Sequence, residues 1–213
     1  MKRTIKVDLI DDDDAVLDSL GIYLERRGFV VNRFASGGDY VRSRPASPPN
    51  DCIVSDVRMN GMSGMDLQRW LTRSKYPVPL ILITGFSDIG VAVAAMKSGA
   101  HDFFEKPVDE RQLVASIRQA ASRWEERIAA QSELHALLER YDTLSERERQ
   151  VMRLATQGCT SRMIAAQLGI SPRTVEIHRA AVLEKTRSTS LADLIRLEIA
   201  IEQLQERPVR GDG

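Results

Sequence analysis

Apolar residues recur along this chain with two different periods, and the change of period divides it in two. In the first half, Ile5-Lys6-Val7-Asp8-Leu9-Ile10 alternates and then turns wholly apolar, as a strand covered on both faces would. Val30 to Phe34, Cys52 to Asp56, residues 79–84 and Asp102 to Glu105 predict four further short strands. Between them, helical spacing predicts helices over 15–27, 37–44, about 65–74 and 91–98, with Val16, Leu20 and Leu24 as the inward stripe of the first. Gly28 ends that helix, and the proline-rich stretch 45–50 reads as a loop. Strands alternating with helices need crossover connections, so this half predicts a doubly wound, parallel five-stranded α/β sheet.

The second half is helical throughout. Leu113, Ile117, Ala120, Trp124 and Ile128 follow three-to-four spacing, and Leu134, Leu138 and Tyr141 resume it after Gln131. No proline or glycine lies between Val108 and Tyr141, so one long helix or two abutting ones are expected. A semi-rigid spacer and a dimerising coiled coil both fit that pattern. Ser145-Glu146-Arg147-Glu148 is a capping box, opening a helix that points Val151 and Leu154 inward and stops at Gly158. Thr160 caps a short helix burying Ile164, Ala165 and Leu168, which Gly169 ends. Ser171 and Pro172 start a helix running to about Thr186, and a last one spans about 191–203 before a frayed tail. Short helix, tight turn and longer helix make a helix-turn-helix. The expected division is an α/β domain over 1–121, a helical linker over 122–142, a four-helix domain over 143–206 and a tail over 207–213.

Composition agrees with two modest cores: 213 residues, 43% hydrophobic. No run of eighteen apolar residues occurs, so no membrane helix is expected. The opening Met1 to Thr4 leads into a strand and four aspartates rather than a secretory leader. Cys52 and Cys159, 107 positions apart, offer neither a CxxC pair nor a disulfide framework; they read as reduced thiols, and a cytoplasmic location is expected. Thirty Lys and Arg balance thirty Asp and Glu, a total that argues against nucleic acid. Locally the balance fails. Residues 8–14 carry five acids and no base, an environment suited to a cation, whereas residues 147–187 carry eight bases against three acids.

In parallel sheets of this kind, function collects at the carboxyl ends of the strands. Those ends carry Asp11 and Asp12, Asp56, Thr84 and Lys106. Singly, each has an ordinary reading: a helix-capping turn, a turn start, a strand end, a surface lysine. Converging on one crevice, they suit phosphoryl transfer to a carboxylate. Crowded carboxylates repel one another and call for a hard cation, and Mg²⁺ prefers carboxylate and carbonyl oxygens. The metal would neutralise the nucleophile and the incoming phosphoryl oxygens, Lys106 would add a compact positive charge, and Thr84 a hydrogen bond.

These residues resemble the receiver domain of two-component response regulators. Val7-Asp8-Leu9-Ile10-Asp11-Asp12, Asp56-Val57-Arg58-Met59 with Gly61-Met62-Ser63-Gly64, Ile83-Thr84-Gly85 and Asp102-Phe103-Phe104-Glu105-Lys106-Pro107 carry the likeness, over about residues 4–121. The resemblance implies a flavodoxin-like sheet in which Asp56 accepts a phosphoryl group from a sensor histidine kinase. It implies that Asp12, Asp56 and the Arg58 backbone carbonyl hold Mg²⁺ directly and that Asp11 acts largely through water. It implies a cis peptide at Lys106-Pro107, and it places Phe103 at a switch-aromatic position coupled to Thr84; a plain core phenylalanine is the ordinary alternative. One departure stands out: Asn60 occupies a position where relatives often have proline. It is expected to loosen the loop carrying the Arg58 carbonyl and so to alter metal affinity or phosphate lifetime.

The second half resembles the LuxR/FixJ-type DNA-binding domain, through Leu144-Ser145-Glu146-Arg147-Glu148, Gly158, Ile164-Ala165, Leu168, Ile170-Ser171-Pro172-Arg173-Thr174-Val175, His178-Arg179 and Lys185. Thr186 and the Cys159-Thr160-Ser161-Arg162 turn depart from the usual pattern without touching the fold. If Val175, Val182 and Leu183 face the core, then Arg173, Glu176, Ile177, Ala180 and Glu184 share the opposite stripe and would enter the major groove. The resemblance places Glu176, Ile177 and Ala180 at base-reading positions; glutamate suits cytosine N4, and the two apolar side chains suit thymine methyls. Arg162, Thr174, His178, Arg179 and Lys185 are expected at phosphates, although His178 also reads as a structural histidine and Arg179 as a solvated face.

As a whole the chain is similar to FixJ-type transcriptional regulators. The expectation is a phosphorylation-dependent regulator, not a turnover enzyme beyond its own phosphorylation and dephosphorylation, that forms a homodimer on promoter DNA. Alternatives are a receiver-controlled protein- or RNA-binding regulator and a Mg²⁺-dependent aspartyl phosphatase. The second is disfavoured because Arg58, not a further carboxylate, stands two residues beyond Asp56.

Overall fold

The computed structural model describes residues 3–43, 50–74, 78–85 and 89–205, with side chains to residue 202. Of the expected loop over 45–50 only Asn50 is described; residues 45–49 and the expected tail over 207–213 lie outside the described residues. Two compact units divide the chain, 1–128 and 129–213. Among the described residues no helix is long and apolar enough to cross a membrane.

In the first unit the strands β1 (Lys6–Ile10), β2 (Val30–Phe34), β3 (Cys52–Asp56), β4 (Leu80–Thr84) and β5 (Asp102–Glu105) pair in parallel, in the order β2-β1-β3-β4-β5. Between them run α1 (Asp14–Arg26), α2 (Gly37–Ser43), α3 (Gly64–Arg73) and α4 (Ile89–Lys97). The central strands β3 and β4 are buried at every position, the edge strands β2 and β5 only partly. That explains why β4 is apolar up to Thr84 and β3 up to Ser55. Alternate β1 residues serve opposite layers: Val7 and Leu9 join a cluster with Leu17, Leu24 and Ile117, and Ile10 joins one with Leu67, Leu82 and Trp124. The α1 stripe is Leu17, Leu20 and Leu24, with Val16 only half-buried. The helix begins one residue earlier than expected because the Asp13 side chain accepts from the Ala15 amide.

The backbone of α5 (Glu110–Asp142) is one uninterrupted helix. In the second unit, α6 (Glu146–Thr156), α7 (Ser161–Leu168), α8 (Pro172–Thr186) and α9 (Leu191–Gln205) follow. Ser145 and Glu148 make the reciprocal capping box, and Thr160 and Ser171 cap the next two helices. Gly169, at φ +65°, closes α7 and makes the tight turn to Ser171, a backbone conformation glycine adopts without penalty. Val151, Ile164, Ala165 and Val175 fill one small core, while Met152, Val182, Leu194 and Leu197 fill another. Leu168, expected to be buried, is half-buried at the edge of the first.

Candidate functional site

The strand order puts β1 between β2 and β3: the chain steps outward from β1 to the edge strand β2, then crosses back to β3 and continues the other way through β4 and β5. Ligands of doubly wound sheets bind at such a reversal. Asp11 follows the carboxyl end of β1, and Asp56 closes β3. Both are buried. Lys106, one residue beyond β5, reaches across β4 and places its Nζ 2.8 Å from Asp11 Oδ2 and 2.6 Å from Asp56 Oδ1. Its backbone amide donates to the Thr84 carbonyl at 2.7 Å, which ties the lysine to the end of β4. Thr84 itself is buried beneath this point. Lys106 and Pro107 are joined by a cis peptide.

The second oxygen of each buried aspartate is also held. Asp11 Oδ1 accepts from the Asp13 amide at 3.0 Å, and Asp56 Oδ2 from the Arg58 amide at 2.6 Å. Burial of this kind is tolerated because each carboxylate is paired and hydrogen-bonded. Desolvation alone pulls the Lys106 ammonium toward a lower pKa. The hydrogen bonds and charges of Asp11 and Asp56 together outweigh it and hold the lysine above its ordinary value. Gly64 lets α3 start close to this end of β3: a Cβ there would lie 2.4 Å from the Asp56 carbonyl oxygen.

Asp12 does not join them. It is exposed, and its Oδ2 accepts two hydrogen bonds of 3.0 Å, from the backbone amide and the side-chain amide of Asn60. The expected convergence of three carboxylates is therefore two in the crevice and one at its rim, and among the described residues no three acidic, histidine or cysteine side chains gather as a metal-holding group. Asn60 also overturns the expectation of a loosened loop. It fastens the β3–α3 loop to the loop after β1, with two donors of which proline has neither. Asp8, counted in sequence with the acidic run, binds Asn32 and Asn50 instead of facing Lys106. Phe103 is half-buried on the α3 side of the sheet, packed against the cluster that holds Ile10 and Leu82, while its neighbour Phe104 packs on the opposite layer.

Residues 7–118 match the model of the response regulator receiver domain, and residues 142–198 that of the bacterial regulatory proteins of the luxR family. The chain is 40% identical over 201 residues to the transcriptional regulatory protein FixJ of Azorhizobium caulinodans, covering 93% of this chain and 94% of that one. Among solved structures, the response regulator StyR superposes with a TM-score of 0.85 at 35% identity, covering 94% of this chain and all of that one. Full-length FixJ from B. japonicum gives 0.58 at 36% identity, covering 95% and 99%. The chain belongs to the FixJ family of two-component response regulators. It is a transcriptional regulator made of a receiver and a LuxR-type DNA-binding domain.

In this FixJ-type regulator, α8 is the helix expected to enter the major groove. Val175 and Val182 are fully buried and Leu183 half-buried, so Arg173, Glu176, Ile177, Ala180 and Glu184 form an exposed stripe as the spacing requires. Ile177 is 61% exposed, an unusual position for an isoleucine with no partner in the unit's core. Arg162 is exposed at the start of α7. Thr174 shares a 2.8 Å hydrogen bond with the Ser171 hydroxyl, and His178 is half-buried. Arg179 donates to the Ser161 hydroxyl at 3.3 Å, and that hydroxyl in turn donates to Glu176. Ser161 thus ties α7 to Glu176 of the exposed stripe and to Arg179 beside it. Nothing local in the sequence links positions 161, 176 and 179, so this role of Ser161 is visible only in the fold.

Lys185 is placed differently from expectation. Its Nζ lies 2.8 and 2.7 Å from the two oxygens of Glu148, whose carboxylate also accepts from the Ser145 amide. The Lys185 hydrogen bond comes first among the causes that hold Glu148 below the usual carboxylate range, against the upward pull of its burial. The lysine closes α6 onto α8 before any phosphate is met. Thr186, where an apolar residue is usual, is buried with its hydroxyl donating to the Val182 carbonyl at 2.7 Å, so no polar group is stranded.

Proposed function

We propose that Asp56 accepts a phosphoryl group from a sensor histidine kinase, and that this controls dimerisation and promoter binding by the α6–α9 domain. The observation that carries the reading is the crevice in which Lys106 bridges buried Asp11 and Asp56. One ammonium faces two carboxylates, so the crevice keeps an excess of negative charge built from hard oxygen donors. That donor set fits Mg²⁺. Asp11, Asp12, Asp56 and the Arg58 backbone carbonyl would hold the ion, which when bound offsets negative charge on the attacking carboxylate and the phosphoryl oxygens.

The chain's own residues do the remainder. Asp56 Oδ1 leaves Lys106 to attack phosphorus, and the kinase's histidine departs with the electron pair of its P–N bond. Lys106 then pairs with a phosphoryl oxygen, and the Thr84 hydroxyl donates to another. Phe103 follows Thr84 inward, which biases the receiver toward its active state. The domain limits that go with this reading are 1–121, 122–142 and 143–206, in a cytoplasmic protein that works as a homodimer once phosphorylated. On DNA, Arg173 lies with Glu176, Ile177 and Ala180 on the face that enters the major groove, the last three reading bases, and Arg162, Thr174, His178 and Arg179 contact the backbone.

Incubation of the full chain with acetyl phosphate and Mg²⁺ should add one phosphoryl group by intact-mass spectrometry, and Asp56→Asn should add none. Uptake by Asp56→Asn would refute the assignment. Gel-shift titration of genomic promoter fragments should show tighter, salt-dependent binding by the phosphorylated form.

A further inference from the structure

We infer that Asn60 is a latch that competes with the divalent cation for Asp12. This inference rests on the metal reading above and deepens it. Of the three carboxylates at the carboxyl ends of β1 and β3, only Asp12 is turned to a partner outside the crevice. Its Oδ2 takes both donors of Asn60, 48 residues away in sequence. Asp11 and Asp56 are fixed by Lys106 and by backbone amides in the geometry they already have. Asp12 is the one ligand that must move for the cation to be held by all three.

Two hydrogen bonds on one carboxylate oxygen lower its availability to a metal and anchor the side chain at the rim. Loading the cation therefore breaks or shares both bonds, and their free energy is subtracted from the affinity. The bonds are exposed, so each contributes at the low end of the usual range. A proline at position 60 would carry neither donor, leaving Asp12 to swing freely. The asparagine tightens the resting loop and weakens its hold on the ion, so this receiver needs more Mg²⁺ to be ready for phosphoryl transfer.

The test titrates Mg²⁺ alone into the full, unphosphorylated chain by calorimetry. Asn60→Pro should bind about fivefold more tightly than the natural protein and Asn60→Ala, which keeps the amide, about twofold. A second measurement needs no variant: amide exchange by NMR. The Asn60 amide should be protected in metal-free protein and should exchange faster at saturating Mg²⁺, as Asp12 lets go.

Equal or weaker binding by both variants, with an Asn60 amide that stays protected in saturating Mg²⁺, would overturn the latch and leave the metal reading intact. Binding by Asn60→Pro where the natural chain binds nothing would support the latch in its strongest form. Absence of binding by the natural chain and both variants would remove the metal reading and the latch together.

Discussion

Two lysines make the same kind of bond in the two halves of this regulator, with opposite consequences. Lys106 divides one charge between two buried carboxylates that come from different strands. Lys185 gives its charge to both oxygens of a single carboxylate, Glu148. In the receiver the negative charge is in excess, as the proposed uptake of a further cation and an electrophile requires. In the DNA-binding domain the charges match, and the pair is a fastening between two helices. A buried acid beside a lysine is therefore no sign of a reactive site by itself; the count of charges on each side distinguishes the two cases.

The sharpest way to break that contrast is to remove each lysine in turn. Lys106→Ala should slow phosphoryl uptake from acetyl phosphate by about a hundredfold or more, because the developing charge loses its preorganised partner. Lys185→Ala should leave uptake unchanged, and a comparable slowing by both would end the distinction. Next in size are the base contacts. In selection from random-sequence duplexes, Glu176→Ala should lose about 1–3 kcal/mol of discrimination at one base position. Arg162→Ala should instead weaken all sequences alike and reduce the salt slope by about one.

Lys185→Ala should lower the stability of the C-terminal domain to urea by about 1–2 kcal/mol. That is less than for a fully enclosed pair, because the Lys185 side chain is 40% exposed. The same pair sets a pH dependence. Glu148 has a lower pKa folded than unfolded, so its contribution is present above the ordinary glutamate pKa and is lost as pH falls through the folded value. Unfolding midpoints of the natural chain should therefore fall on acidification below about pH 4.3, and those of Glu148→Gln should fall less steeply. Smallest is Ser161→Ala. It frees Glu176 and Arg179 from α7 and should relax the base preference of Glu176 by about threefold, with no loss of phosphoryl uptake.

Much of the fold could be read from the chain because its signals are local. Ser145 and Glu148, three residues apart, announced a helix start that the structure reproduces, and Gly169 and Ser171 marked the turn of the helix-turn-helix. The strand ends were legible because the apolar run of β1 meets Asp11 directly and that of β3 is followed, after Ser55, by Asp56. The misses share a cause. Val16 was preferred to Leu17 because four-residue spacing alone does not fix which way a helix is rotated against a sheet. Asp8 was grouped with its acidic neighbours because proximity in sequence ignores the alternation of a strand. Asn60 was expected to loosen its loop because its donors could not be assigned an acceptor 48 residues away.

By itself, then, the sequence determined the element types, their order, the caps and the residues standing at each strand's end. All of these follow from periods and propensities acting over a few residues. The tertiary structure alone decided the partnerships: Lys106 with Asp11 across 95 positions, Lys185 with Glu148 across 37, and Asn60 with Asp12. The first and third depend on the β2-β1-β3-β4-β5 order, the second on the packing of α6 against α8, and all three on where long polar side chains find a charge to meet. Burial and hydrogen bonding select such pairs only once the backbone has brought them within reach.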